Sequence, residues 1–289
     1  MKYSHGRYIR GGHVLDLDSY LKRIGYSGPR NATLETLRAL QGKHPLAIPF
    51  ENLDTLTGRP VKLDVGSLER KLVHSRRGGY CFEQNLLFQH VLAGFGFDVT
   101  ALAARVVWER PSETRARTHM VLLVALGGRR YICDVGFGGL TATAPIELTP
   151  DVEQPTPHET FRVVAVSNEL AIEGCVRGEW KRLYRFDLQE QLQVDIELLN
   201  HYVMSHAESP MRSRLMAARA AAGCRFGLGG GILSVHHLHG ASEQRRIGSV
   251  DELKRVLDSI FGIEVPVGKD VDAALARVLE EDQRGLRSR

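Results

Sequence analysis

The sequence is short of cysteine and of long apolar runs, and each shortage removes a class of protein. Only four cysteines occur among 289 residues, Cys81, Cys133, Cys175 and Cys224, with no Cys-x-x-Cys pair. That scatter suits neither a zinc site nor a disulfide-stapled scaffold, so the four read as reduced, independent thiols. The longest uninterrupted apolar run spans residues 120–126, far short of a membrane span, and residues 1–5 lack the apolar core of a signal peptide. A cytoplasmic protein with no membrane partner is expected. Charge of one sign is scarce as well: a net charge of +4, dispersed along the chain, makes no nucleic-acid patch, although it does not oppose a small polyanionic ligand. His236, His237 and His239 divide between the faces of a strand with no acid or thiol clustered nearby, so no metal is expected. The glycine cluster at 227–231 lacks the Lys-Ser/Thr of a phosphate-binding loop and reads as a hairpin turn.

What is present is an ordinary globular composition, 43% hydrophobic and 25% charged, enough for two or three packed units. Leu17, Tyr20, Leu21 and Ile24 make a first helical stripe closed by Gly25. Thr33 caps a second carrying Leu34, Leu37 and Leu40 and stopped by Gly42, and Ser67 caps a third carrying Leu68, Leu72 and Val73. From Asp98 the period changes. Runs at 98–108, 118–126, 129–135, 161–166, 170–176 and 180–186 are short, Val- and Leu-rich and divided by turn residues, which predicts a β meander forming an antiparallel sheet or partial barrel. Residues 149–158, with three prolines, read as a loop. Helical periodicity returns at 189–200 and 211–222, followed by a strand at 232–237 and two closing helices. Ser249 and Glu252 propose a capping box for the first of these, and Val271, Ala274, Leu275, Val278 and Leu279 stripe the second. The tail at 280–289 reads as frayed.

The chemistry gathers around Arg76-Arg77-Gly78-Gly79-Tyr80-Cys81-Phe82-Glu83-Gln84-Asn85. Leu87, Phe88, Val91, Leu92 and Phe95 form a helical stripe that puts Cys81 at or near a first turn, where unpaired backbone N–H groups favour a thiolate. A nucleophilic cysteine needs a base, and the base needs an orienting group. If Gly127-Gly128 is the tip of a two-residue hairpin, every opposed pair sums to 255, so Val121 faces Asp134. His119 shares a face with Val121, which makes His119 and Asp134 diagonal neighbours about 7–8 Å apart at the backbone. Singly, His119 suits an edge or core histidine and Asp134 a turn residue; together with Cys81 they match a Cys, His and Asp set. Arg77 and Glu51 are candidates for a partly buried ion pair tying the Cys81 turn to the 48–53 loop.

Through Leu46-Ala47-Ile48-Pro49-Phe50-Glu51-Asn52-Leu53-Asp54, Arg77 to Asn85, Thr118-His119 and Asp134-Val135-Gly136-Phe137-Gly138-Gly139, the sequence resembles the arylamine N-acetyltransferase family. It departs at 227–231, which is richer in glycine, and at Pro210-Met211-Arg212, which is less apolar. The resemblance implies an α+β fold of three parts: a helical bundle at 1–96 carrying Cys81, a central antiparallel β-barrel at 97–205 carrying His119 and Asp134, and an α/β lid at 206–289, with a cysteine-protease-like core. It puts the family's nucleophile on Cys81, its base on His119 and its orienting acid on Asp134. It also implies acetyl-CoA as acyl donor, with no permanently bound cofactor, and an arylamine, arylhydrazine or related amine as acceptor. CoA contacts are expected at Gly136, Phe137 and Gly138, and acceptor contacts at Phe50, Thr118 and Phe137. Backbone N–H groups at Cys81 and in the 136–139 turn are candidate oxyanion donors. A homodimer is compatible with the sequence. Three other functions fit the same residues: a thiol acyltransferase or amide synthase with another donor, a transglutaminase- or papain-like thiol hydrolase, and a non-catalytic module retaining a CoA cleft.

Overall fold

The computed structural model describes residues 13–108 and 116–287, so the leader reading at residues 1–5 lies outside the described residues. Helix α1, Leu17–Ile24, begins at Asp16, whose carboxylate accepts the Ser19 N–H, and ends at Gly25 in the left-handed region. Helix α2, Leu34–Ala47, is capped by Thr33 as predicted. It is not stopped by Gly42. The buried face of Leu37, Leu40, Gln41, His44 and Pro45 carries the helix through, because packing outweighs the cost of one glycine. Strand β1, Phe50–Glu51, and the short helix α3, Leu53–Leu56, follow. Helix α4, Val65–Leu68, is capped by Asp64 rather than Ser67 and runs into a π-helical turn, Glu69–His74. Ser67 is instead the residue whose N–H the Asp64 carboxylate accepts, at 2.9 Å. Helix α5, Cys81–Gly94, is buried along most of its length.

Strands β2 (Asp98–Val106), β3 (His119–Leu126), β4 (Arg129–Cys133) and β5 (Ile146–Glu147) form one antiparallel meander. Strands β6 (Gln154–Pro155), β7 (Thr160–Val166), β8 (Glu169–Val176) and β9 (Glu179–Glu190) form a second. Pairing of β2 with β9 joins them in the order β5-β4-β3-β2-β9-β8-β7-β6. The sheet curls until Pro150 bridges Val163, which nearly closes it into a barrel. The 149–158 loop therefore contains a short strand, because its backbone supplies that closing edge. The predicted hairpin register holds from Leu126 opposite Arg129 to Leu122 opposite Cys133, with Gly127 and Gly128 both at positive φ.

Strand β9 extends past the predicted end to Glu190, and helix α6 is Gln193–Ser205. The helix expected at 211–222 is the largest misreading. The structure has a four-residue helix α7, Pro210–Ser213, then strand β10, Met216–Ala221. Alanines favour a helix locally, but β10 pairs with Phe50 and Glu51 on one side and with β11 (Cys224–Gly229) on the other, and the ladder overrides the propensity. Gly227 and Gly229 lie within β11, leaving Gly230 and Gly231 to turn into β12, Ile232–His237, and then β13, Glu243–Arg246. Helix α8, Val250–Ser259, starts at the Ser249 cap; the Glu252 carboxylate reaches the Gly248 N–H. Helix α9, Lys269–Arg287, continues through most of the tail that reads as frayed.

The chain is thus an α+β protein of helices, a nearly closed antiparallel barrel and a second five-stranded sheet, β1-β10-β11-β12-β13, backed by helices α8 and α9. Residues of α5 and of one barrel face share a single apolar cluster, including Phe82, Leu86, Met120 and Leu122, which seats the start of α5 against β3. No helix among the described residues is long and apolar enough to cross a membrane.

Candidate active site

Cys81 is the first residue of α5, so its N–H has no acceptor within the helix. The turn leading into it is fixed from both sides. Glycine is required at 78 because a Cβ there would stand 2.0 Å from the Pro49 carbonyl oxygen. Gly79 donates to that same carbonyl at 3.3 Å, and its own carbonyl accepts from Glu51 N–H at 3.1 Å. Gln84, one turn into α5, donates to both Pro49 O and Gly79 O, at 2.7 and 3.2 Å. Its own oxygen takes a 2.6 Å hydrogen bond from His44 Nε2, so His44 Nδ1 accepts from the Tyr20 hydroxyl at 2.8 Å. Burial lowers His44 to about 4, so the ring in this chain is neutral.

Beneath the turn lies a group of five charges. Arg77 donates through Nε to Glu51 at 2.7 Å and through Nη2 to Asp54 at 3.0 Å, while Lys71 pairs with Asp54 and Glu83, each at 2.6 Å. Glu51 in turn accepts the Leu53 N–H at 2.6 Å, and Glu83 accepts the Tyr80 N–H at 3.1 Å. The predicted Arg77–Glu51 pair is present, but it is half of a network that the sequence did not reveal. Burial raises the Glu83 carboxyl to about 7, against the pull of Lys71.

On the barrel side, His119 and Asp134 meet as the register predicted: His119 Nε2 lies 2.7 Å from Asp134 Oδ2, with both residues 2% exposed. With Nε2 engaged, Nδ1 is the ring nitrogen left for sulfur. Burial disfavours the cationic ring, but attraction and hydrogen bonding to Asp134, then the contact with Cys81, outweigh it and raise His119 to about 10. Burial also pushes Asp134 up, yet His119, Asn85 and the Gly136 N–H hold it below the ordinary carboxylate value. The Cys81 Sγ donates to the Thr118 carbonyl at 3.6 Å, adjacent in sequence to His119.

Two residues at this centre have no role in the sequence reading. Asn85, one helical turn beyond Cys81, donates to Asp134 Oδ1 at 3.0 Å and to Met120 O at 2.8 Å, and accepts from Val135 N–H at 3.0 Å. Its i+4 spacing from Cys81 was the available signal. Tyr184 of β9 places its ring centroid 5.0 Å from that of His119, and Phe137 packs edge-on at 5.5 Å. Nothing local marks Tyr184, because β9 is brought there only by its pairing with β2, where Tyr184 lies opposite Val106.

A cavity of about 1290 Å³ opens on Cys81 and His119, larger than the roughly 300–1,000 Å³ of most small-molecule sites. Phe50, Thr118, Gly136, Phe137 and Gly138 all line it, whereas Asp134 sits behind His119 and does not. Gly136 is forced by proximity: a Cβ would lie 2.8 Å from Cys81 Cα. Its N–H is committed to Asp134 Oδ1 at 2.8 Å and that of Gly138 to Thr141 Oγ1 at 2.8 Å, which narrows the candidate oxyanion donors to Cys81, Phe137 and Gly139. All four cysteines are free, and no group of three or more metal-ligating side chains occurs among the described residues. His236 and His237 bond instead to Ser242 and Glu243.

A family model described as N-acetyltransferase matches residues 33–271. An arylamine N-acetyltransferase of Escherichia coli is 41% identical over 88% of this chain and 90% of its own length. One from Mycolicibacterium smegmatis is 41% identical over 92% of this chain and 99% of its own. The solved structure of Mycobacterium marinum arylamine N-acetyltransferase in complex with CoA superposes with a TM-score of 0.87 at 40% identity, covering 91% of this chain and 99% of that one. The chain belongs to the arylamine N-acetyltransferase family and is an enzyme of the transferase class.

Proposed function

We propose that this enzyme moves an acetyl group from acetyl-CoA to the nitrogen of an arylamine, arylhydrazine or related amine, in two steps through a thioester on Cys81, in the cytoplasm. The observation that carries the reading is the contact of Cys81 with an imidazole whose other nitrogen is held 2.7 Å from a buried carboxylate. Asp134 makes the His119 ring strongly basic, so it takes the proton of Cys81 and the sulfur is the attacking atom. The sulfur adds to the acetyl carbonyl, the CoA thiolate leaves, and it takes the proton from His119. The amine nitrogen then adds to the thioester, His119 accepts the amine proton, and the Cys81 sulfur departs. Asp134 holds the ring orientation and stabilises the imidazolium. Negative charge on the carbonyl oxygen falls to backbone N–H groups at the start of α5 and in the 136–139 turn.

Gly136, Phe137 and Gly138 are the proposed contacts for the thioester end of CoA, and Phe50, Thr118 and Phe137 those for the flat acceptor. Their shared lining of one cavity supports both roles. The structure of a relative with CoA supports the donor. The same reading keeps the division into a helical unit at 1–96, a barrel at 97–205 and a lid at 206–289. Intact-mass and peptide mass spectrometry after acetyl-CoA alone tests the central step. One acetyl group on the Cys81 peptide is expected, discharged on addition of an aniline; acetylation elsewhere, or only when the amine is present, overturns the two-step route.

A further inference from the structure

A second cavity, of about 530 Å³, lies where the helices of the first unit meet the end of α8, and it shares no lining residue with the cleft at Cys81. Lys22, Arg23, Lys43, Arg76 and Arg219 line it together with one carboxylate, Asp258. Among the described residues, none of these five cations belongs to an ion pair. Some of their N–H groups have a structural use. Lys43 donates to Gly25 O at 2.8 Å, Arg219 to Leu46 O at 2.8 Å and Ile260 O at 3.0 Å, and Arg23 Nε to Leu72 O at 3.3 Å. Those carbonyls lie at or near helix ends, where cations complement the helix dipole.

That role does not account for the remainder. Arg23 Nη2 is buried with no hydrogen-bond partner, an arrangement rare enough to require an acceptor. Arg76 is held at φ 46, in the left-handed region, and among the described residues its guanidinium has no partner. Arg23 is made less basic by burial and by the charges of Arg76 and Arg219, so the like charges are felt across the cavity. Three guanidinium forks and two ammonium groups facing one carboxylate match an oxyanion with several charges, and the volume exceeds what a lone phosphate fills.

We propose that this cavity binds a small phosphorylated ligand carrying a di- or triphosphate, held among Arg23, Arg76 and Arg219 and separate from the Cys81 cleft. The ligand would neutralise the cations and supply the acceptor that Arg23 Nη2 lacks. Its site joins α1, α2 and Arg76 to β10 and α8, so occupancy stiffens the seam between the helical unit and the second sheet without touching Cys81.

The test is calorimetric titration of the full chain with inorganic pyrophosphate, alongside thermal melts. One site per chain is expected, with a raised melting temperature in its presence. Arg76→Glu, at an exposed position with no side-chain partner to lose, is expected to weaken binding about tenfold or more. Without ligand the same variant melts no lower than the parent, because a like charge is gone. Repeating the titration with excess CoA separates the two phosphate sources: undiminished binding supports a separate site. Pyrophosphate displaced by CoA and indifferent to Arg76→Glu places the anion in the donor cleft and overturns the proposal, as does the absence of binding.

Discussion

At the residue scale, Asp134 is held by three hydrogen bonds. One oxygen meets His119 and the other accepts from both Asn85 and the Gly136 backbone, so the acid is held by the helix that carries Cys81 as well as by its own strand. Asn85→Ala removes one of those bonds and leaves the Val135 N–H without an acceptor. Losing a buried hydrogen bond to a charged group costs about 1.5–3 kcal/mol, so kcat is expected to fall about 10- to 100-fold in a protein that still folds. Steady-state rates with circular dichroism check this; unchanged rates would remove Asn85 from the positioning of Asp134. The ring of His119 offers a direct readout. Asp134 is its main source of elevation, so in the parent the His119 resonances stay in the protonated position until pH approaches 10. In Asp134→Asn they should titrate much nearer neutrality, and an NMR titration showing no difference would contradict the assigned cause. His119 and Asp134 were both legible in the sequence, because a two-glycine hairpin fixes register arithmetically. Tyr184 was not, since its approach depends on a strand sixty-odd residues further along.

At the element scale, the start of α5 and the 134–139 turn are pressed together so closely that the main chain of one touches the other. Gly136→Ala would set a Cβ 2.8 Å from Cys81 Cα and 3.0 Å from Asn85 Nδ2, neither able to yield without moving the helix start. Overpacking of this kind costs about 1–3 kcal/mol, so a modest drop in urea midpoint with a disproportionate loss of acetyl transfer is the expected pair of results. A variant of full activity would show that the approach tolerates more slack than the distances imply. The same scale holds the clearest failure of sequence reading. Residues 216–221 are Met-Ala-Ala-Arg-Ala-Ala, good helix formers, yet they lie between two strands as β10. Small side chains suit a strand whose Ala217, Ala218 and Ala220 are buried, and no local pattern announces that the partner is Phe50-Glu51 from the far end of the chain.

At the scale of the whole molecule, the five-charge group under Cys81 and the chain from Tyr20 to Gln84 connect the helices to the turn that presents the sulfur. Arg77→Ala leaves Glu51, Asp54 and Glu83 facing Lys71 alone; uncompensated buried charge costs about 3–5 kcal/mol. Soluble yield and denaturation midpoint are therefore expected to fall more than the specific activity of surviving protein. A stable but inactive Arg77→Ala enzyme would assign the network to chemistry instead. His44 sets a pH limit with a definite sign. Its folded value of about 4 lies below the 6.5 of the unfolded chain, so the unfolded state takes up the proton first. The resulting stability, of order 3 kcal/mol, is fully present above pH 6.5 and is lost as pH falls through 4. Melting temperatures across that window should fall less steeply for His44→Gln than for the parent; parallel slopes would show that the ring does not stay neutral.

By itself the sequence determined which side chains come together: a cysteine at a helix start, a histidine and an acid locked in register by a tight hairpin, and the α+β layout around them. These were legible because helix periodicity, strand alternation and a two-residue turn act over a few neighbouring positions. Only the tertiary structure decided that Asn85 and Tyr184 surround Asp134 and His119, that Lys71, Asp54 and Glu83 complete the charge group, that β10 is a strand, and that five cations with no ion pair among the described residues line one cavity. Each of these depends on contacts between residues distant in the chain, whose geometry is set by packing and long-range strand pairing rather than by any spacing along the sequence.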